Sequence, residues 1–543
     1  METTRELLYR IALSITQLEL SYNTVGFVVF LFLFLSAFLL CKHNVTKNVI
    51  ILMTSTIFYA WNGLETLGVI GVTAMIVYFA TMAIEKIYGT YENATEGRSP
   101  KEKVLIFSEY KKRAKKYLLV AFVLIIGYWI SVKVGKFIYL ENVENGVETV
   151  HVGSIIVPLG ISYYTLSAVG YMLDVYWRKT EPEHNFFYFF SAMIYFPHIV
   201  QGPISKYQKL INQMKELPKL NYERICHGLQ LMLWGYIKKM VIADRLVLYT
   251  ATVFAEPDKF AGVEIVLAIV LCVIQIYADF SGCMDIVGGI SQVVGIELDR
   301  NFRQPFFAKN AQEFWARWHM TLGQWTKEYI YLPIAMDARF IKYTKGMKKS
   351  GKVWIASFIK AFCPLLAVWL FTGLWHGTGI DYIIWGVYWC ILMTLGKELK
   401  PLLDRLVVFL KIDTERRYFR TWQTIRTYII FAIGRTFTVT GSIIGCGVLW
   451  KQLFAEHRVW TLFDGSLYTH GLDQKDFYVA LLGIMVIFVV DYMHEQDISV
   501  RAMIARQPII LRWLVYYSAI FGLLIFGMYG PGFNAVSFAY GAF

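Results

Sequence analysis

Residues 25–40 read VGFVVFLFLFLSAFLL, an apolar run that contains no charged side chain. With its flanking residues the run approaches the roughly 20 residues that a helix needs to cross ~30 Å of hydrocarbon. A helix is expected because it satisfies the backbone polar groups of so long a run within the segment itself. The run therefore predicts a membrane-spanning helix near the start of the chain.

Further apolar runs recur along almost the whole chain, at Val49–Trp61, Tyr117–Val132, Ile155–Leu173, Tyr382–Gly396, Phe477–Val490 and Trp513–Tyr529. The composition agrees, since 56% of the 543 residues are hydrophobic and only 17% are charged, which is too apolar for a soluble protein of this size. The sequence predicts an all-α, polytopic membrane protein embedded in a lipid bilayer.

The chain reads as one integral-membrane domain over residues 1–543, because no repeat or long linker divides it. Within it we expect N-terminal spans over 24–135, a core that would hold the chemistry over 154–396, and C-terminal spans over 427–530. Acidic and basic residues mix at the start, and no small-residue cleavage site follows the first apolar run. We therefore expect no cleaved signal peptide.

Cysteines and charge exclude several classes of protein. Seven cysteines are scattered singly with no C-x-x-C pair, so neither a metal site nor a disulfide framework is predicted. The formal net charge is +13, but the basic residues cluster beside apolar runs, as membrane orientation requires. Nucleic acid is therefore not an expected partner.

The Lys/Arg distribution predicts the sidedness of the spans, because basic residues near short loops mark the cytoplasmic side. Residues 86–116 form a basic loop and residues 141–148 an acidic one, which places the N-terminus outside. The same rule places the basic segments 339–352 and 397–426 in the cytoplasm and the loop 451–476 outside.

Between about Phe186 and Pro333 the apolar segments are short and are interrupted by prolines and charged residues. Polar or non-helical backbone at membrane depth is tolerated only where protein or a water-filled cavity surrounds it. We therefore expect this region to be re-entrant or buried and to line a site.

The motif Phe371–Gly379, FTGLWHGTG, places His376 at the outer end of an apolar run and just before the next span. A neutral imidazole accepts a hydroxyl proton near neutral pH, and the flanking glycines allow close approach of a substrate. The alternative is a helix-end histidine bonded to a carbonyl in a glycine-rich turn. Trp375 is a candidate for lining the same site.

A second histidine, His319, lies in the segment Glu313–Trp325, which reads EFWARWHMTLGQW and which we interpret as one amphipathic helix. Trp315 and Trp318 are candidates for lining a site beside it. An interfacial helix with tryptophan anchors is the alternative interpretation.

Two further clusters are weaker candidates for lining the site. His198 lies in YFPHIVQGPIS, where prolines predict a turn back inside the membrane, although a buried, hydrogen-bonded structural histidine is the alternative. Asp279, Ser281 and Asp285 could orient imidazoles or bind a donor, or could instead belong to helix caps at Ser281 and Gly282.

With these segments the chain resembles the membrane-bound O-acyltransferase (MBOAT) family, in the bacterial branch of the alginate O-acetylation and teichoic-acid D-alanyl transfer proteins. The resemblance covers nearly the entire chain. It is carried by four blocks in the family's order: 157–179, VPLGISYYTLSAVGYMLDVYWRK; 195–207, YFPHIVQGPISKY; 277–334, which begins YADFSGCMD and includes FWARWHMTLGQW; and 371–386, FTGLWHGTGIDYIIWG. The C-terminal residues 529–543 also resemble the alginate-type members.

The resemblance implies a helical bundle around a central tunnel, with re-entrant or interfacial helices, in the bacterial inner membrane. His376 takes the position of the family's central catalytic histidine, and His319 that of the second histidine. No catalytic role is carried over to His198, where alginate-type proteins commonly have another residue. The donor implied is an acyl thioester, acetyl-CoA or an acyl carrier protein, with no permanently bound cofactor.

Three functions stay open on the sequence. The first is transfer of an acyl group, most simply acetyl, to an extracytoplasmic polysaccharide or to a partner acetyltransferase of the SGNH type. The second is D-alanyl transfer to teichoic acid, which would need a carrier protein. The third is a transporter or flippase whose broken middle helices form a pathway without chemistry.

Overall fold

The computed structural model describes residues 20–144, 156–455 and 457–529. Over these residues the chain is helical and forms no β-strand, apart from one isolated antiparallel bridge between Phe302 and Trp318. The predicted acidic loop at 141–148 lies largely outside the described residues, as does nearly all of the C-terminal segment 529–543.

In chain order the helices are α1 (Val25–Leu40), α2 (Asn44–Trp61), α3 (Leu64–Thr95), α4 (Pro100–Glu144), α5 (Ile161–Tyr176), α6 (Phe186–Met193), α7 (Phe196–Ile199), α8 (Tyr207–Lys215), α9 (Tyr222–Tyr236), α10 (Asp244–Ala255), α11 (Gly262–Val294), α12 (Ala311–Arg317), α13 (Met320–Thr326), α14 (Leu332–Ala335), α15 (Ala338–Lys349), α16 (Val353–His376), α17 (Ile380–Glu398), α18 (Lys400–Phe409), α19 (Arg417–Thr436), α20 (Ile443–Ala455), α21 (Gln474–Glu495), α22 (Val500–Ala505) and α23 (Ile509–Phe526). Two π-helical turns, Ile237–Ala243 and Lys327–Tyr331, join neighbouring helices.

Six helices in the described part of the chain are long and apolar enough to cross a membrane. They are Leu64–Thr95, Pro100–Lys136, Gly262–Val294, Val353–His376, Gln474–Glu495 and Ile509–Phe526. The prediction of an all-α polytopic membrane protein is confirmed. The central tunnel, the sidedness and the division into N-terminal spans, core and C-terminal spans stay predictions.

The reading of short, interrupted apolar segments between Phe186 and Pro333 is wrong for α11, which runs unbroken for 33 residues through this region. The helix is largely buried, as was expected for the region. Ser281 and Gly282 lie inside this helix and cap nothing. The helix tolerates its two aspartates because lysines of the π-helical turn neutralise them. The Lys239 Nζ lies 2.6 Å from Asp279 Oδ1, and the Lys238 Nζ lies 2.6 Å from Asp285 Oδ2.

Helices α9 and α11 pack at backbone distance through two pairs of glycines spaced seven residues apart. A Cβ atom at Gly289 would lie 2.5 Å from the Gly228 carbonyl oxygen, and one at Gly235 would lie 2.6 Å from the Gly282 carbonyl oxygen. No side chain fits at either contact. This close packing holds the π-helical turn and its lysines against α11.

The irregular segment from Gln201 to Ser205 is buried inside the bundle, and the turn back inside the membrane expected from the prolines stays a prediction. The amide of Ile204 in this segment donates to Thr321 Oγ1 at 3.1 Å. Protein surrounds the non-helical backbone, which is the condition under which such a segment is stable in this class of fold.

The segment Glu313–Trp325 is not one amphipathic helix. It breaks at Trp318 and His319 into α12 and α13, and His319 has a φ of +47°, in the left-handed region. The apolar spacing continues across the break, which is why the periodicity predicted a single helix. The break turns the His319 side chain inward, where only 2% of the residue is exposed.

Candidate active site

His376 is the last residue of α16 and is 6% exposed. The carbonyls at the end of a helix lack intrahelical partners, and here the side chain of Lys133 on α4 supplies one. Its Nζ donates to the carbonyl of Leu374 at 3.2 Å and also to that of Trp375. This contact, which no sequence pattern predicts, fixes the end of the helix that presents His376.

Within the part of the chain that the structure describes, three rings lie against the imidazole of His376. The centroid of Trp375 lies 4.8 Å away and that of Trp385 lies 5.4 Å away, both edge to face. The third ring is His319, at 6.5 Å. The two histidines, which are 57 positions apart in the chain, therefore share one site with aromatic walls. Trp385 lines this site and was not among the residues predicted from the sequence.

His319 contacts aromatic rings of two helices, α11 and α16. Its ring meets Phe280 of α11 edge to face at 4.8 Å and the ring of Trp375 at 5.9 Å. Trp375 is held in turn by a hydrogen bond from its Nε1 to the Ser162 carbonyl, at 3.3 Å. Trp375 is therefore in contact with both imidazoles, while its role in lining the donor or acceptor site stays a prediction.

Asn301 is a buried polar residue at the site that the sequence did not single out. Its Oδ1 lies 3.4 Å from His319 Nδ1 and accepts from the Thr321 amide at 3.1 Å and the Thr321 hydroxyl at 2.7 Å. Its backbone carbonyl accepts from the Met320 amide at 3.0 Å. No periodicity or motif marks such a residue, because its role depends on contacts across the break between helices.

The tryptophans at 315 and 318 lie in a neighbouring aromatic cluster. Trp315 meets Trp369 at 4.9 Å and Trp389 at 5.0 Å, and it reaches the site only through Trp385, at 5.9 Å. Trp318 stacks on Phe314 at 5.5 Å, beside Phe302. These two residues support the wall of the site from behind.

The weaker candidates lie in other surroundings. The Nδ1 of His198 is 2.8 Å from the carbonyl of Tyr195 in its own turn, which matches the structural alternative for this residue. Asp279 is ion-paired with Lys239, and the hydroxyl of Ser281 accepts from Lys238 at 2.9 Å. Asp285 pairs with Lys238 as well. These side chains stabilise the contact of the π-helical turn with α11.

Burial sets the charge state of the site. His319, in the connection between helices and outside the six spans, has its pKa lowered by desolvation, so its ring is neutral at physiological pH. A neutral imidazole offers one proton-accepting nitrogen and one N–H donor. Two imidazoles in one buried aromatic site are suited to accepting and returning a proton during a group transfer.

Metal chemistry has no candidate ligand set among residues 20–144, 156–455 and 457–529, where no three His, Cys, Asp or Glu side chains are grouped to hold an ion.

Residues 178–347 match the model of the MBOAT, membrane-bound O-acyltransferase family. The matched segment includes His319, Asn301 and α11, and it ends before His376. The chain carries an MBOAT domain.

Relatives of this MBOAT protein extend the likeness beyond the matched segment. A probable alginate O-acetylase of Pseudomonas syringae pv. tomato is 27% identical over 435 residues, 79% of this chain and 74% of that protein. A peptidoglycan O-acetyltransferase of Helicobacter pylori is 28% identical over 404 residues, 68% of each chain. A teichoic acid D-alanyltransferase of Bacillus subtilis is 28% identical over 241 residues, 44% of this chain and 58% of that protein.

The MBOAT domain and these relatives identify the protein as a multi-pass membrane O-acyltransferase. The resemblance read from the sequence is confirmed, and an enzyme is favoured over a transporter without chemistry. The comparisons assign no role to a particular residue, so those of His376 and His319 stay predictions.

Proposed function

We propose that this MBOAT protein transfers an acyl group, most simply acetyl, from a cytoplasmic thioester to a hydroxyl of an extracytoplasmic polysaccharide across the bacterial inner membrane. The observation that carries the proposal is the pairing of His376 with His319, 6.5 Å between ring centroids, in a buried aromatic site. His376 is the base, and His319 positions the donor.

The reaction needs one base and no redox partner. The acceptor hydroxyl attacks the thioester carbonyl while His376 accepts the hydroxyl proton, and a C–O bond forms. The tetrahedral intermediate then breaks its C–S bond, and the imidazolium transfers that proton to the leaving thiolate. An ester and a thiol result, and the enzyme returns to its starting state.

Burial of the two imidazoles supports this chemistry in two ways. It keeps bulk water from hydrolysing the thioester. It also holds the reacting groups in one geometry, which avoids the entropic cost of bringing them together in solution. A tunnel open to both aqueous phases would bring the thioester and the alcohol to the same ring from opposite sides. The donor would be acetyl-CoA or an acyl carrier protein.

The names of the relatives favour acetyl as the acyl group. Two of those described act, by name, as O-acetyl transfer enzymes on alginate and peptidoglycan, and they match 79% and 68% of this chain. The D-alanyl transfer enzyme matches 44% of it and keeps D-alanyl transfer to teichoic acid as the second candidate. The acyl group could reach the polymer directly or through an SGNH-type acetyltransferase, which would then be the immediate acceptor.

Deletion of the gene, followed by chemical assay of surface polymers for O-acetyl and D-alanyl esters, tests the proposal. We expect O-acetyl esters to fall to background, D-alanyl esters to be unchanged, and the wild-type gene to restore the former. Loss of D-alanyl esters with intact O-acetyl groups would overturn the acetyl assignment. Retention of both kinds of ester would overturn acyl transfer to surface polymers.

A further inference from the structure

Asn301 is the polar residue of the site to which the mechanism above gives no task. It is 2% exposed, and it follows α11 in the connection that leads to α12. Its side chain and its backbone both bind the break between α12 and α13, at which His319 stands. A buried amide in such a place commonly has its hydrogen bonds satisfied. The directions of those hydrogen bonds then tell which atom of the side-chain amide is the oxygen and which is the nitrogen.

The orientation of the Asn301 amide follows from its contact with the backbone. The Thr321 amide can only donate, so the atom that faces it at 3.1 Å must be the acceptor Oδ1 rather than the amide nitrogen. The Thr321 hydroxyl, 2.7 Å from the same oxygen, already accepts from the Ile204 amide and donates its own proton to Oδ1. Two independent contacts thus place the oxygen.

The tautomer of His319 follows from that orientation. The Oδ1 of Asn301 carries no proton, so the His319 Nδ1 that lies 3.4 Å from it must be the protonated nitrogen for a hydrogen bond to form. In a neutral ring the remaining nitrogen, Nε2, then holds the lone pair. The distance is long for a hydrogen bond, and such contacts commonly tighten when substrate is bound.

The backbone of His319 is held in the same way. Its φ of +47° is unfavourable for a residue with a side chain, and such a conformation persists only where the surrounding structure fixes it. Here the Met320 amide donates to the Asn301 carbonyl, and the Arg303 amide donates to the Arg317 carbonyl. The strand-like contact beside Asn301 therefore keeps the imidazole turned into the site.

We propose that Asn301 is a positioning residue that fixes the Nδ1–H tautomer and the orientation of His319. The lone pair of the ring then lies on Nε2, which is the atom that accepts a proton or a hydrogen bond. The proposal rests on the proposed function, because it assumes that His319 belongs to the transfer site. It adds the atom that acts and the residue that selects it.

The groups that bear on the charge of His319 are few among the described residues. The titratable ring in contact with it is His376 on α16, and the other rings packed on it, Phe280 of α11 and Trp375 of α16, carry no charge. Lys133 and Arg435 act electrostatically on His376. A carboxylate placed at residue 301 would put a negative charge beside His319 Nδ1, where Asn301 Oδ1 now lies at 3.4 Å.

Magic-angle-spinning NMR of the full-length, [15N]histidine-labelled protein in lipid tests the tautomer directly, with His319→Gln used to identify the signals of His319. We expect a protonated Nδ1 and an unprotonated Nε2 in the wild type, and a mixture of tautomers in Asn301→Ala. In Asn301→Asp we expect a doubly protonated ring up to a higher pH than in the wild type. A protonated Nε2 in the wild type, or His319 signals that neither variant changes, would overturn the proposal.

Acyl transfer measured against pH supplies the functional readout. Asn301→Asp is expected to move the acid limb of the rate profile upward by about one pH unit or more, because a carboxylate stabilises the imidazolium. The matched control is Asn310→Asp, which changes the N-cap residue of α12, whose Oδ1 accepts from the Glu313 amide, and should leave the limb in place. Equal profiles for the two variants would overturn the proposal.

The two readouts separate the positioning role from the proposed function. Full acyl transfer in His319→Gln, with the expected tautomer in the spectra, would remove His319 from the mechanism and leave the structural assignment of Asn301 standing. Reduced transfer in His319→Gln, with an unchanged tautomer in Asn301→Ala, would keep His319 in the mechanism and refute the role of Asn301.

Discussion

At the scale of single residues, the two imidazoles constrain one another. Their centroids are 6.5 Å apart in a buried site, and two like charges at that distance in a low dielectric repel strongly. The pair therefore carries at most one additional proton during turnover. This suits a reaction in which one proton is taken from the alcohol and is then given to the leaving thiolate.

Trp375 makes the contact shared by both imidazoles, and its replacement tests whether that contact matters. Trp375→Phe keeps an aromatic ring and removes the hydrogen bond to the Ser162 carbonyl. We expect the rate of acyl transfer to fall about fivefold to tenfold, as for the loss of one hydrogen bond of ~1 kcal/mol, at unchanged abundance in the membrane. The control is Trp422→Phe, at a residue that is 54% exposed; equal rates for both variants would contradict the role of Trp375.

The residues of the site differ in how far the sequence could predict them. His376 and Trp375 were predictable because a glycine-rich break follows an apolar run. His319 was predictable as a candidate, but its left-handed backbone was not, since the aromatic spacing continues across it. Asn301 and Lys133 act through contacts between residues far apart in the chain, which no local pattern reports.

At the scale of helices, the end of α16 depends on its neighbour α4. Carbonyls at a helix C-terminus carry a partial negative charge, and the ammonium of Lys133 is placed against two of them. The position of His376 is thus set by a contact between two spans rather than by α16 alone.

Replacement of Lys133 should therefore displace His376. We expect Lys133→Met to lower the free energy of unfolding by about 1–2 kcal/mol and the transfer rate by about tenfold, because two carbonyls lose a charged donor. Lys133→Arg should restore part of the rate. Thermal unfolding in detergent and the transfer assay measure both effects, with Lys116→Met, at an exposed lysine of the same helix, as the control. An unchanged rate in Lys133→Met would refute the coupling.

The contact between α9 and α11 offers a sharper test, because neighbouring glycines differ in the space around them. A Cβ at Gly289 would lie 2.5 Å from the Gly228 carbonyl oxygen, whereas one at Gly288 would meet a Leu231 side chain at 3.7 Å. We expect Gly289→Ala to lower the free energy of unfolding by about 1–3 kcal/mol through overpacking. Gly288→Ala is the control and should have little effect; similar melting temperatures for the two variants would be inconsistent with the packing described.

At the scale of the whole molecule, the helical bundle buries charged side chains that would be unstable in contact with lipid. Lys239 lies between Asp279 and Asp244, with Nζ to oxygen distances of 2.6 and 2.8 Å, and all three side chains are at most 2% exposed. In the sequence, Asp279 appeared as a possible residue of the site, and Lys239 and Asp244 appeared only as interruptions of apolar segments. That they compensate one another across α10 and α11 depends on the tertiary fold, and so it was not predictable from spacing.

Removal of the shared cation should have a large effect on the whole fold. Lys239→Met removes the cation that two buried carboxylates share, and we expect about 3–5 kcal/mol of destabilisation and a marked loss of protein from the membrane. Lys259→Met, which removes a solvent-exposed pair with Glu256, is the control and should have little effect on stability or abundance. Quantitative immunoblots and thermal unfolding give the comparison, and normal abundance of Lys239→Met would contradict it.

The central claim is that the imidazole of His376 is the base for acyl transfer, and the most direct measurement is the initial rate of transfer by His376→Gln in membranes, normalised to the amount of protein present. General-base catalysis typically contributes about 10²–10⁴-fold, so we predict a rate at least about 100-fold below the wild type, with normal abundance and melting temperature. A rate within about twofold of the wild type would contradict the claim.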